Sequence, residues 1–523
     1  MLNLPVDDLP FAFELVETCA EGSKPADSES SLCFEVTSLA SGVGGASSAS
    51  AAVTVRGTSG PDLAYGAAWY LRTYCAMSFS WERAGGNQVA FAQAVADGAA
   101  TWPAVDPADP KRLRWRRRDV SYGFNVCTFS YSQAWYQFSG GAEGYGASWE
   151  STLDWMALSG INLALAYTGQ EEVYRKMYNG FGVSDEDFAA WSNGPAHLTW
   201  SRGQSMHGVG GPLPASWMEQ QWHLQKQILG RMRALGMVPV LPAFQGNVPP
   251  LLAELYPDAN ITVQDAHWGG GTAAWLDSTD PLFQEIGDSL VASIIADFGV
   301  DTDGDGVGDA TEHWYEADGY FAAGDPPWRR RLGTDIGGSG GGEGGNGGDD
   351  GGGGGGEGFD ENAYAHAAAA YSAMAATDPE ARWLYQGWCW NNFLAQGSYT
   401  HAQLQLIMAG YAAAAPAGRL LVSDMWSEWA PIAEDLAAVG LPYLYGTLQN
   451  FGGNSILGAS TQLLADGAPE DPVGVPGVAG AFSRFAGGTG VGAFPEGIDQ
   501  VRAACVRGVG SYFLILKSLS SFL

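Results

Sequence analysis

Two stretches of this chain set acids and aromatics at the end of an apolar run. In "LLVSDMWSEWAP" (420–431) an apolar strand ends at Asp424, and Glu428 then stands between Trp426 and Trp429. A carboxylate between indoles can hold the apolar face of a sugar ring, and partial burial can tune its pKa for proton transfer. The plainer alternative is an exposed acid beside packing tryptophans. In "HWYEADGYFAAGDPP" (313–327) an aromatic strand runs into a loop closed by prolines. Glu316 and Asp318 fall on one face of that strand, because strand side chains alternate. Asp325 lies in the loop, and only Ala322 and Ala323 stand where the loop leaves the strand.

Two further runs offer neutral groups. "WLYQGWCWNN" carries Gln386, Trp388 and Trp390, and "YLYGTLQNFGGN" carries Gln449, Asn450 and Asn454. Amides and indoles suit the hydroxyls and faces of a pyranose, but loop turns and core aromatics read the same way. "DTDGDGVGDATE" (301–312) has the spacing of a twelve-residue calcium loop, with Asp301, Asp303, Asp305, Asp309 and Glu312 at ligand positions and Gly306 at the turn. A strand rather than a helix follows it, so a structural calcium site and a solvated acidic insert both fit. "GGTG" at Gly487–Gly490 is too short a match to read as a phosphate loop, and the seven histidines show no metal spacing.

The elements that must position these residues follow a rhythm. From about residue 113, amphipathic segments end in Gly and lead at once into short apolar runs: "STLDWMALSG" into "INLALAY", "QKQILGRMRALG" into "MVPVLPAF", "IAEDLAAVG" into "LPYLYGTL". "LFQEIGDSLVASIIADFG" leads, after the acidic insert, into "HWYEADGYF". A helix closed by a left-handed Gly and followed by a buried strand is the repeating step of a parallel sheet. With "SYGFNVCT", "RWLYQGW", "RLLVSDMW" and "AGGTGVGAF", about eight strands spread over roughly 380 residues, as in a (β/α)8 barrel with insertions. Its chemistry would sit at the C-terminal strand ends. Residues 1–110 form a small α/β unit with a strand at "AAVTVRG", a helix at "PDLAYGAAWYLRTYC" and a further strand at "MSFSWE". The barrel is set at 111–465, with a disordered Gly-rich insert at 337–358, and 466–523 is read as the start of a further domain.

Composition narrows the partners. Net charge is −32 with only 16% charged residues, which repels nucleic acid and anionic membranes. The basic run "KRLRWRRR" (111–118) reads as a cap on a domain junction. Six scattered cysteines without C-x-x-C argue against zinc and leave disulfide pairing open. The N-terminus has no basic region ahead of its apolar residues and makes a poor signal peptide. The apolar end "SYFLILKSLSSFL" is too short to span a bilayer, and nothing in the sequence fixes an oligomeric state.

Taken together, "VRGTSGPDLAYGAAWYLRTYC", "NVCTFSYS", "WESTLDWMALSGINLALAYTGQEEVY", "GPLPASWMEQQWHLQKQILGRMRALGMVPVLPAFQGNVP", "LYQGW", "RLLVSDMWSE", "LQNFGGN" and "FPEGIDQ" resemble the alpha-N-acetylglucosaminidase family, glycoside hydrolase family 89. The resemblance implies a small N-terminal α/β domain, a (β/α)8 barrel and an all-helical C-terminal domain, largely missing here. It implies removal of terminal α-linked N-acetylglucosamine from glycans by a retaining two-carboxylate mechanism, with no cofactor in the chemistry. It makes Glu428 the nucleophile. It makes Asn125, Cys127, Gln170, Glu171 and Trp388 sugar-pocket residues, beside Gln386, Trp426 and Asn450. The family's acid/base Glu falls on Ala322 or Ala323, so the carboxylate is absent, and Asp325 is the acid left to replace it. A carbohydrate-binding homologue without turnover and a fragment of an active enzyme are therefore the alternatives. The same resemblance implies a lysosomal, vacuolar or secreted protein.

Overall fold

The structure is a computed structural model and describes residues 10–19, 24, 30–38, 53–78, 90–116, 119–123, 137–140, 148–203, 207–265, 272–317, 358–425, 430–449 and 488–495. Its first unit is a mixed sheet of β1 (Phe11–Leu15), β2 (Cys33–Ser38), β3 (Val53–Gly57) and β4 (Leu113–Trp115), ordered β1-β3-β2-β4. β1 runs parallel to β3, and β2 runs antiparallel to β3 and β4. Helix Gly60–Cys75 covers the sheet. Ser59 caps it by accepting from Asp62 N, and Pro61 in the first turn needs no donor. Its Tyr65 and Trp69 meet Phe34 of β2 at ring distances of 5.1 and 6.3 Å. Among the described residues, Cys19 and Cys33 form a disulfide, one of the pairings that sequence left open. Because β4 pairs with β2, this unit runs a few residues beyond position 110.

The second unit contains β5 (Val120–Gly123), β6 (Leu163–Leu165), β7 (Val238–Pro242), β8 (Asn247–Val248), β9 (Ile261–Asp265), β10 (Thr272–Leu276), β11 (Trp314–Glu316), β12 (Arg382–Gln386), β13 (Leu420–Asp424), β14 (Tyr443–Gln449) and β15 (Gly488–Pro495). Eight of them close a barrel in the order β5-β6-β7-β11-β12-β13-β14-β15, every pair parallel. These are the eight runs the sequence marks. Strand β15 lies inside the segment 466–523 that sequence set apart from the barrel. The barrel extends to Pro495 because β14 and β5 have no other way to meet. Strands β8, β10 and β9 form a separate antiparallel sheet, inserted after β7 and not foreseen.

Left-handed glycines close the helices that lead into β6, β7 and β14: Gly160, Gly236 and Gly440 have φ of 79°, 73° and 73°. Gly299 does not repeat this. It caps helix Pro281–Phe298 at φ −64°. A Cβ there would meet Ile295 O at 2.4 Å and Ala310 O at 2.7 Å, so its reason is close approach rather than handedness.

Candidate functional site

Contacts on the outside of the barrel decide which side chains face inward. Trp383 and Tyr385 of β12 pack on Tyr411 of helix His401–Ala414, at 5.6 and 5.1 Å. Alternation therefore turns Leu384 and Gln386 into the barrel. Tyr315 of β11 donates its hydroxyl outward to Asp378 at 2.9 Å, so Glu316 points inward. Asp424 of β13 accepts from Asn391 Nδ2 at 2.8 Å and from Ile432 N, again outside, so Ser423 points inward.

Three consecutive strands thus place Glu316, Gln386 and Ser423 on one arc of the inner wall near the C-terminal end. All three are buried. Gln386 Nε2 donates to Glu316 Oε1 at 2.9 Å. The ladders align Gln386 with Ser423, and Glu316 with Leu384, so Glu316 sits one row below Gln386. Tyr167, beyond the end of β6, donates to the Glu316 carbonyl at 3.3 Å. Barrel interiors are ordinarily filled with branched apolar side chains. Polar groups there carry a desolvation cost, so their clustering under the mouth makes this arc the candidate binding surface. The Ser423 hydroxyl has no hydrogen-bond partner among the described residues.

The other residues read from sequence divide. Trp388 opens helix Trp388–Ala395 and packs, half-buried, against the core. Trp390 is a core residue, fully buried at 4.5 Å from Tyr385 and 5.2 Å from Tyr411. Gln170 and Glu171 stand at the start of helix Gln170–Gly180, which follows β6, rather than on the inner wall. Glu171 forms a buried ion pair with Arg202 at 2.6 Å, and Gln170 donates to Arg202 O at 2.9 Å. With Tyr174, Trp191, Ser201 and His207 they line a small cavity. His207 stacks on Trp191 at 4.0 Å, and burial pushes its imidazole down to about 3, so it is neutral. Glu428, Asp325, Asn125, Cys127, Trp426 and Asn450 lie outside the described residues, as do Asp318, Ala322 and Ala323.

In the acidic loop, Asp301, Asp303 and Asp305 are exposed, with carboxylate oxygens within 4.8 Å of one another. Asp309 instead accepts from Thr302 Oγ1 at 2.6 Å, and Glu312 pairs with Arg233 at 2.6 Å. Three carboxylates suit a hard cation, but the bidentate Glu expected at the last loop position is turned to Arg233, so the donor set is incomplete as arranged. Sequence reasoning missed Glu316 as an inner-wall residue. Its in-phase position on the strand was the available signal, but which face looked inward was not readable.

The fold and this wall define a (β/α)8-barrel protein with polar side chains gathered under its C-terminal mouth and an α/β unit packed against the helix ends that lead into β6 and β7. The family profile "Alpha-N-acetylglucosaminidase (NAGLU) tim-barrel domain" matches residues 121–318 and 355–504, and that of the NAGLU N-terminal domain matches residues 8–95. The chain belongs to the alpha-N-acetylglucosaminidase family. It is 33% identical over 460 residues to human alpha-N-acetylglucosaminidase, a match covering 86% of this chain and 51% of that protein. A family 89 glycoside hydrolase from Clostridium perfringens in complex with 2-acetamido-1,2-dideoxynojirmycin superposes with a TM-score of 0.66 at 25% identity, covering 98% of this chain and 46% of that one. The Clostridium perfringens enzyme in complex with its substrate GlcNAc-alpha-1,4-galactose gives a TM-score of 0.67 at 25% identity, with the same coverage. This chain spans about half the length of these relatives.

Proposed function

We propose that the chain is a glycosidase removing terminal α-linked N-acetylglucosamine from glycans with retention of configuration. The observation that carries this is the Glu316–Gln386–Ser423 wall under the mouth of a family barrel. Such a cluster of acceptors and donors suits a polyhydroxylated ligand. Retention uses two carboxyl groups ~5–5.5 Å apart, one a nucleophile and one an acid/base. Glu428 is the nucleophile, attacking the anomeric carbon as the glycosidic oxygen leaves. Asp325 is the acid left in the loop to protonate that oxygen. Asn125, Cys127, Gln170, Glu171, Gln386, Trp388, Trp426 and Asn450 are the residues assigned to sugar binding, Gln170 and Glu171 from the start of their helix rather than from the inner wall. None of these steps needs a metal, and a calcium ion at Asp301, Asp303 and Asp305 would serve structure alone. The Cys19–Cys33 disulfide suits an oxidising, lysosomal, vacuolar or secreted setting. Among the described residues, no helix is long and apolar enough to cross a membrane.

The test is hydrolysis of an aryl α-N-acetylglucosaminide by the full chain. Wild type releases the aryl alcohol and Glu428→Ala does not; full activity in the variant refutes the assignment. A second reading, glycan binding without turnover, is favoured by Ala322 and Ala323, which stand where the family resemblance sets the acid/base Glu. Saturable binding of N-acetylglucosamine with neither aryl nor natural glycoside cleaved selects that reading.

A further inference from the structure

Glu316 has no place in the two-carboxylate scheme, yet it is a fully buried carboxyl on the inner wall of the barrel. It accepts from Gln386, one row nearer the mouth. The Gln386 amide turns its Nε2 donor toward Glu316 Oε1, at 2.9 Å. The two ends of an amide diverge by about 120° at its sp² carbon, so the carbonyl oxygen is turned away from Glu316. Away from Glu316 is toward the C-terminal mouth, on the row that Gln386 shares with Ser423. Without the carboxylate, an amide can turn over and present either its NH2 or its oxygen, since the two ends have nearly the same size and shape.

We propose that Glu316 is a positioning residue that locks Gln386 as a hydrogen-bond acceptor, so that the barrel mouth selects a sugar hydroxyl able to donate. The inference rests on the glycan reading given above and deepens it: it assigns the chemical feature of the sugar that this arc of the wall reads. Nothing in it depends on which acid protonates the leaving group.

The experiment is calorimetric titration of the full chain with N-acetylglucosamine and with analogues in which one hydroxyl at a time is replaced by fluorine. Fluorine keeps the size and loses the donor. Wild type should bind one analogue about fivefold more weakly than the parent sugar, the worth of one neutral hydrogen bond. In Glu316→Gln that preference should shrink to within about twofold, because either end of Gln386 can now face the ligand. The swap Glu316→Gln/Gln386→Glu puts a carboxylate at the upper position and an amide donor beneath it, and should restore the preference. A role in packing alone would shift the unfolding midpoint and leave the preference in place. The same preference in Glu316→Gln overturns the proposal, as does a wild type that binds N-acetylglucosamine but discriminates against no fluorinated analogue. If Glu316→Gln does not fold, Gln386→Leu must abolish the preference, and its survival there overturns the proposal equally. A wild type that binds none of these sugars overturns the glycan reading itself and this inference with it.

Discussion

The Arg116 guanidinium lies 2.6 Å from the Asp62 carboxylate with both side chains out of solvent, and it also donates to Gly160 O at 2.7 Å. Asp62 belongs to the helix of the first unit, and Gly160 ends a helix of the barrel. A second contact agrees: Arg72 of the same helix donates to Leu158 O at 2.9 Å. Arg116 of the basic run is thus a clasp between the two units, while Arg112 and Arg114 hold partners within the first one. Removing one member of a buried pair strands the other, at a cost of about 3–5 kcal/mol. Arg116→Met should lower the denaturant midpoint accordingly, and Asp62→Asn/Arg116→Met should recover much of the loss.

Two buried imidazoles set a lower pH bound on stability. Burial pushes His207 down to about 3 and His366 down to about 4. The unfolded chain protonates its histidines near pH 6.5, so between that pH and the native values it binds the extra protons. This stability is fully present above about pH 6.5 and is lost as pH falls toward 4 and 3. At pH 5 the His207 contribution lost is about 2 kcal/mol. His207→Phe keeps a ring against Trp191 and should flatten the fall of Tm between pH 7 and 5. An unchanged slope would show that His207 is not the group responsible.

Gly169 heads the helix that carries Gln170 and Glu171, at φ 72°. A Cβ there would stand 2.5 Å from Gln221 O, a backbone atom that cannot step aside. Gly169→Ala should cost about 2–4 kcal/mol through left-handed strain and this clash. Thermal unfolding measures it, and a change below about 1 kcal/mol would mean that the two helices separate easily.

The replacement acid can be tested by leaving group. If Asp325 gives its proton to the departing oxygen, Asp325→Asn should slow a natural glycosidic link far more than an aryl glycoside, which needs little acid assistance. The expected gap is about 10²-fold, the lower end of what a positioned general acid supplies. Equal slowing of both substrates, or none, removes Asp325 from the mechanism.

The barrel was legible because four of its strands, β6, β7, β11 and β14, announced themselves twice, by an apolar run and by the Gly-closed segment before it, and four further runs completed the count. Even Gly488–Pro495, rich in glycine, could be read as the strand needed to complete the count. Strand β1 was not legible: it is an edge strand with Phe13 and Leu15 exposed, so its pattern marks no buried face. From sequence, Trp390 reads equally as a sugar-stacking indole or a core aromatic. Its partners Tyr385 and Tyr411 come from a strand and a helix, and only tertiary packing reveals them. Glu316 had the converse problem, since the strand's phase was readable but the hand of its two faces was fixed by Asp378, far along the chain.

The barrel is sealed by its last strand pairing with its first: Gly490 lies beside Val120 and Ala493 beside Gly123. That seam joins the most distant parts of the barrel's sequence, so it is the last of the barrel's strand pairings to become possible as the chain emerges from the ribosome. Until Gly488–Pro495 is synthesised, β5 and β14 are unpaired edges with open rows of amides and carbonyls, the kind of surface that recruits other strands. Non-local closures of this sort are slow, because the loop entropy must be lost before the contact forms. The nascent protein therefore has an interval, fixed by its topology, in which a chaperone or a second nascent chain competes with its own last strand.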